Sequence, residues 1–227
     1  MLLDGPGFAP LSGGKPAYLV VLLHGVAANG NDLISLARAW RKILPKAEFI
    51  APNAPFPCDN APEARKWFSL QDRAPEKLLA GLREAGAILD RFFDELLASR
   101  QLGDARLALA GFSQGAATAL YAGLRRQTQI AGIVAFSGAL PDGEGLRNDF
   151  RSKPPVLLVH GEADDVVPFH SMAKAKATLE AGGVPVTAVA RPGLGHAIDD
   201  VGIALGGEFL RNVLKAPRDD TDTGVAV

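Results

Sequence analysis

The chain has 227 residues, 48% of them hydrophobic, which is enough apolar side chain for one sizeable core and argues against global disorder. Its 24 basic and 25 acidic residues leave a formal net charge of -1, which argues against nucleic acid or an anionic membrane as a partner. The single cysteine, Cys58, rules out an intrachain disulfide and suits a reducing compartment.

The first residues, Met1-Leu2-Leu3-Asp4-Gly5-Pro6, lack the basic start and long apolar stretch of a signal peptide, and Leu19-Val20-Val21-Leu22-Leu23 is too short to span a bilayer. The expectation is a cytoplasmic protein with no integral membrane segment. Residues 1–16, rich in Gly and Pro, read as an irregular approach; 17–214 read as one α/β domain and 215–227 as a polar tail.

The continuous apolar run over 18–23 predicts a strand buried on both faces, ending in His24-Gly25-Val26. Asn31 or Asp32 would cap a helix whose apolar face uses Leu33, Leu36, Ala37 and Trp40. A short strand over 48–51 follows. Prolines at 52, 55, 57 and 62 then predict a loop, because proline removes backbone donors and breaks helical periodicity. That loop leads into Trp67 and Phe68, which would either pack into the core or line a substrate cleft.

Residues 75–99 give the clearest helical pattern, through Leu78, Leu82, Ala85, Leu89, Phe92, Phe93 and Leu96, with Gly103 as its stop. Strands are expected over 106–110, 130–136, 156–159 and 184–190, and helices over 113–124, 171–181 and 198–214. Strands alternating with helices predict a mostly parallel central sheet with helices on both faces, and in such sheets sites gather at the carboxyl ends of strands.

Those ends carry the chemistry. Gly111-Phe112-Ser113-Gln114-Gly115 fits the G-x-S-x-G turn between strand and helix, which lifts a serine hydroxyl on a strained backbone beside the next residue's amide. Serine needs a base to take its proton, and of His24, His160, His170 and His196 only His196 sits in a glycine-flanked loop after the last strand. His24 and His160, each closing an apolar strand before a glycine, read as buried structural residues, and His170 as a surface or capping residue at a helix start. Asp164 is the first candidate for the acid that orients His196, with Asp165 the alternative; Asp199 and Asp200 belong to a helix start. The order Ser, Asp, His is that of the α/β-hydrolase arrangement. Backbone amides of Gln114 and Val26 are candidates for stabilising the oxyanion. No zinc-ligand spacing occurs, so no metal or cofactor is expected.

With these segments assembled, the chain resembles the phospholipase/carboxylesterase family of α/β-hydrolases, which includes acyl-protein thioesterases. The resemblance covers residues 17–214 and rests on Leu23-His24-Gly25, on Gly111 to Gly115, on His160-Gly161-Glu162-Ala163-Asp164 with Val167-Pro168, and on Gly195-His196. Pro52 with Trp67-Phe68 fits the family's long loop. The resemblance implies a compact hydrolase without a large lid domain, with Ser113 as nucleophile, Asp164 as acid, His196 as base and the Val26 and Gln114 amides as oxyanion donors. Family members often carry proline directly after the acid; this chain has Asp165, which keeps that residue open as the acid.

The expected reaction is hydrolysis of small or lipid-like carboxylic esters through an acyl-enzyme. Two alternatives stand beside it: a thioesterase acting on acylated proteins, and a noncatalytic binding protein on a hydrolase scaffold. Nothing in the sequence selects an acyl chain length or an oligomeric state.

Overall fold

The computed structural model describes residues 3–58, 61–141 and 144–215, so the expected polar tail beyond residue 215 lies outside the described residues. In chain order the elements are β1 (Gly7–Phe8), β2 (Tyr18–Leu23), α1 (Gly30–Leu33), α2 (Ser35–Ile43), β3 (Ala47–Ile50), β4 (Phe56–Cys58), β5 (Ala61–Lys66), α3 (Pro75–Arg100), β6 (Leu107–Phe112), α4 (Gln114–Arg125), β7 (Gly132–Phe136), α5 (Glu144–Arg147), β8 (Val156–Gly161), α6 (His170–Ala181), β9 (Val186–Arg191) and α7 (Asp200–Lys215).

Seven strands form one sheet in the order β1-β3-β2-β6-β7-β8-β9. Every pairing in it is parallel except the short β1–β3 edge. The central strands are apolar throughout because each feeds two cores. Leu19, Val21, Leu109, Ile133 and Leu158 point into the layer holding α3, α4 and α6, while Val20, Leu22, Ala110, Val134 and Val159 point to the layer of α2 and α7. The two-residue period of a strand therefore divides one continuous hydrophobic run between two faces.

Several expectations are corrected. The approach over 1–16 is not wholly irregular, since β1 pairs with Ile50 and Phe49 of β3. Neither Asn31 nor Asp32 is the helix cap: Asn29 is, in a reciprocal capping box with Asp32, and the helix is divided into α1 and α2. The proline-rich loop contains an antiparallel hairpin, β4–β5. A two-stranded ribbon has only edge strands, so Pro57 can sit in it without breaking an interior ladder. Helix α3 stops at Gln101, which takes left-handed φ 59° and ψ 42°, two residues before the expected Gly103. The short α5 was not expected.

β2 and β6 lie side by side, and the chain leaves β2 toward β3 on one side while β6 continues toward β7 on the other. This is the point in an open α/β sheet where strand ends splay and leave a crevice. Two polar contacts, one part-buried and one buried, fix its surroundings. Trp40, fully buried on α2, stacks on Phe136 with centroids 6.4 Å apart and donates its indole N–H to the Ile203 carbonyl of α7 at 2.8 Å. His24, at the end of β2, accepts the Ala54 amide on Nε2 at 3.0 Å and faces the Gly25 carbonyl with Nδ1 at 2.7 Å, so the ring is neutral with its proton on Nδ1. Burial lowers the His24 pKa below 6.5; the Gly25 bond opposes this without reversing it.

Two outcomes follow from these contacts. Trp40→Phe keeps the ring but leaves the Ile203 carbonyl without its donor, and denaturant unfolding should show a loss of about 1–2 kcal/mol. For His24 the native pKa lies below the unfolded one, so as pH falls below about 6.5 the unfolded chain binds a proton that the native state resists, and stability drops. The stability lost between pH 7.5 and 5.5 should be smaller in His24→Gln, whose amide oxygen can still accept from Ala54; an equal loss in both proteins would assign the pH dependence elsewhere.

Candidate active site

The turn at Ser113 is built by close approach. A Cβ on Gly115 would lie 1.9 Å from the Leu23 carbonyl oxygen at the end of β2, so only glycine lets α4 start there. Ser113 takes φ 54° and ψ -119°, outside the comfortable regions for a side-chain-bearing residue, as its place in the turn predicts. It is held there by its own amide on the Phe136 carbonyl of β7, at 2.9 Å, and by its carbonyl accepting the Ala116 amide, at 3.0 Å. Small side chains on α4, among them Ala116, Ala119 and Ala122, allow the helix to lie fully buried from Gln114 to Leu124.

The Gln114 amide belongs to the first turn of α4, where an N–H has no intrahelical acceptor. Its side chain has a separate task that the sequence did not signal, because both partners are main-chain groups nearly fifty residues earlier. Oε1 accepts the Trp67 amide at 2.9 Å and Nε2 donates to the Phe68 carbonyl at 2.8 Å, both buried. Across from it, the loop after β2 runs past Ser113: a Cβ on Gly25 would sit 3.4 Å from the Ser113 Cβ. Val26 follows, partly exposed, and the loop is braced by β5 through Ala27 N–H to the Arg65 carbonyl at 2.9 Å and Arg65 N–H to the Ala28 carbonyl at 3.0 Å.

Trp67 does not line a cleft. Its ring is fully buried, 5.5 Å from the His24 ring, and its indole N–H donates to the His24 carbonyl at 2.8 Å. Phe68 borders a cavity of about 270 Å³ whose walls include Leu78, Leu82, Leu140 and Val167, with Ser113 and Gln114 also on its surface.

Asp164 and His196 meet at the far end of the sheet. His196 Nδ1 lies 2.8 Å from Asp164 Oδ2, while Asp164 Oδ1 accepts the Val166 and Val167 amides at 3.0 and 2.8 Å. Burial pushes the Asp164 carboxyl up, but the His196 bond and the two amides outweigh it, so its pKa lies below the usual 3.8. The loops are locked to each other: a Cβ on Gly161 would fall 2.2 Å from the Leu194 carbonyl oxygen, and Ala163 N–H donates to that same oxygen at 2.9 Å.

Asp165 is exposed and takes no part in this contact. Asp199, on the other side of His196, pairs with Arg191 at 2.8 Å and caps α7 through the Gly202 amide at 2.7 Å. His160 is buried, as expected, yet it also reaches the site: its Nε2 lies 2.8 Å from the Val167 carbonyl and 3.2 Å from Asp164 Oδ2. The four-residue step from His160 to Asp164 across a tight turn was the available signal for this.

With Nδ1 turned to Asp164, His196 leaves Nε2 as a lone-pair acceptor. Its ring packs 4.7 Å from that of Phe112. Ser113 and His196 border one cleft of about 380 Å³, with Phe112, Gly25 and Leu33. Among the described residues no hydrogen bond joins Ser113 to His196. The two hollows share Val26, Ser113 and Val166, so Ser113 stands on the saddle between an apolar chamber and the cleft of His196.

The chain is similar to known proteins in sequence and in fold. The chain is 41% identical to a solved esterase, PE8, with a TM-score of 0.88 over 94% of this chain and 100% of that one. It is 30% identical to acyl-protein thioesterase 1 of Aspergillus fumigatus, covering 91% of each chain, and 29% identical to esterase YpfH of Escherichia coli, covering 90% of this chain and 87% of that one. The profile of the phospholipase/carboxylesterase family matches residues 11–214. The chain therefore belongs to the phospholipase/carboxylesterase family and is a hydrolase of the α/β-hydrolase fold.

Proposed function

We propose that the chain hydrolyses carboxylic esters through an acyl-enzyme on Ser113, with His196 as the proton carrier and Asp164 as the group that orients it. The observation that carries this reading is the 2.8 Å contact between His196 Nδ1 and Asp164 Oδ2, which leaves Nε2 as the basic atom in the cleft it shares with Ser113. In the first half-reaction Ser113 Oγ bonds to the ester carbonyl carbon as its proton passes to His196 Nε2. The oxyanion is met by the Gln114 and Val26 amides. Collapse breaks the bond to the leaving oxygen, which takes the proton from His196 Nε2. In the second half-reaction water attacks the acyl carbon, gives its proton to His196, and Ser113 leaves with that proton as the free acid is released.

The acyl group occupies the apolar chamber and the leaving group the cleft of His196. This division suits small or lipid-like esters. A thioester on an acylated protein is the second reading, favoured by the similarity to acyl-protein thioesterase 1 and by a chamber that contacts only the acyl part. A cytoplasmic location belongs to the same proposal, supported by the single cysteine. Among the described residues no helix is long and apolar enough to cross a membrane.

A fluorophosphonate probe should add one adduct to the intact protein and none to Ser113→Ala, whose turnover of p-nitrophenyl esters should fall by a factor on the order of 10⁴ or more. Adduct formation that survives Ser113→Ala would remove Ser113 from the role, and no turnover of any ester or thioester would favour a binding protein. Asp164→Asn should lower kcat by a factor on the order of 10³–10⁴, whereas Asp165→Asn, at an exposed position, should stay within about twofold. The reverse ranking would make Asp165 the acid.

A further inference from the structure

The chamber assigned to the acyl group has one feature that a plain hydrocarbon tail does not use. Among the described residues that line it, Arg73 is the only charged one; the walls are otherwise Phe68, Leu70, Leu78, Leu82 and Leu140 with small and neutral polar neighbours. Arg73 is exposed and makes no hydrogen bond or ion pair among the described residues. The adjacent carboxylate, Asp72, accepts the Ala74 amide on Oδ1 at 2.9 Å in the turn that starts α3 and forms no ion pair with Arg73 among the described residues. Arg83, further along α3, is committed to Asp149.

We infer that Arg73 makes this chamber selective for acyl chains that end in a carboxylate, so that hemiesters of dicarboxylic acids are a preferred substrate class. The inference rests on the proposed placement of the acyl group and adds its far end to it. The chemistry has two opposed parts. A carboxylate partway along the chamber would be stripped of water against leucine and phenylalanine side chains with no partner, which is costly. A carboxylate that reaches Arg73 keeps part of its hydration and gains a guanidinium that can bind both its oxygens. Chain length therefore decides the sign: a short hemiester is worse than its neutral counterpart, and a longer one is better.

The test compares ethyl hemiesters of dicarboxylic acids of four to ten carbons with ethyl esters of monocarboxylic acids of the same carbon number. Hydrolysis is followed through the acid released, and the readout is the ratio of kcat/KM for the two members of each pair. The ratio should lie below one for the shortest pair and rise to about five or more at a longer length, and high salt should reduce it there. Arg73→Gln, which keeps a polar stem and loses the charge, should bring the ratio to one or below at every length, and Arg73→Lys should restore most of it.

A ratio that never exceeds one, or that is the same in Arg73→Gln as in the unaltered protein, overturns the inference while hydrolysis of the neutral series upholds the esterase reading. Failure to hydrolyse either series, with no fluorophosphonate adduct, overturns both.

Discussion

The approach of Gly115 to the Leu23 carbonyl oxygen is the constraint from which the rest of the site follows. It lays the start of α4 against the end of β2 with no room for a side chain. The turn before it must then be tight enough to put Ser113 at φ 54°, and the Ser113 amide is left to bond the neighbouring strand rather than its own helix. Three strand ends, those of β2, β6 and β7, are thereby gathered around one hydroxyl. Sheet register does the same work on a larger scale, because Leu23 pairs with Gly111 and Phe112 with Phe136, which brings the ends of these strands level.

A second close contact, Gly161 under the Leu194 carbonyl, sets the other half of the site. The loops after β8 and β9 are pressed together so that Asp164 and His196 meet at hydrogen-bond distance. The Asp164 carboxylate meets the Val166 and Val167 amides and His196, with the His160 ring nitrogen 3.2 Å away. A carboxylate so held remains ionised although it is buried, which is what orienting an imidazole demands. The framework that holds these loops is a sheet buried on both faces, and its loops carry the polar chemistry at one edge.

The layered fold was legible because it is written in local terms. Continuous apolar runs marked the central strands, helical spacing marked α3, and the glycines around Ser113 marked the turn. The corrections came where a decision depended on partners remote in sequence. Proline content argued for a loop over 52–62, but a hairpin with no interior strand tolerates Pro57. Trp67 was ambiguous between core and cleft because an apolar ring suits both; its burial against His24 resolves it. Asp164 and Asp165 are adjacent and identical in type, so only the turn that aims one inward and the other at solvent separates them. The side-chain bonds of Gln114 go to main-chain atoms nearly fifty residues away, which leaves no compositional trace.

Gln114 has one further consequence. A single residue supplies an amide beside Ser113 and, through its side chain, fastens the segment carrying Trp67 and Phe68. The wall proposed to meet the acyl chain and the donor proposed to meet the oxyanion are thus joined through one residue. A relative that remodels the 61–68 segment for a different acyl chain must either keep two main-chain groups in register with this glutamine or accept a shift in the amide beside its serine. Substrate range in this scaffold is therefore freer to diverge on the α3 side of the chamber, at positions such as Leu78 and Leu82, than at Phe68.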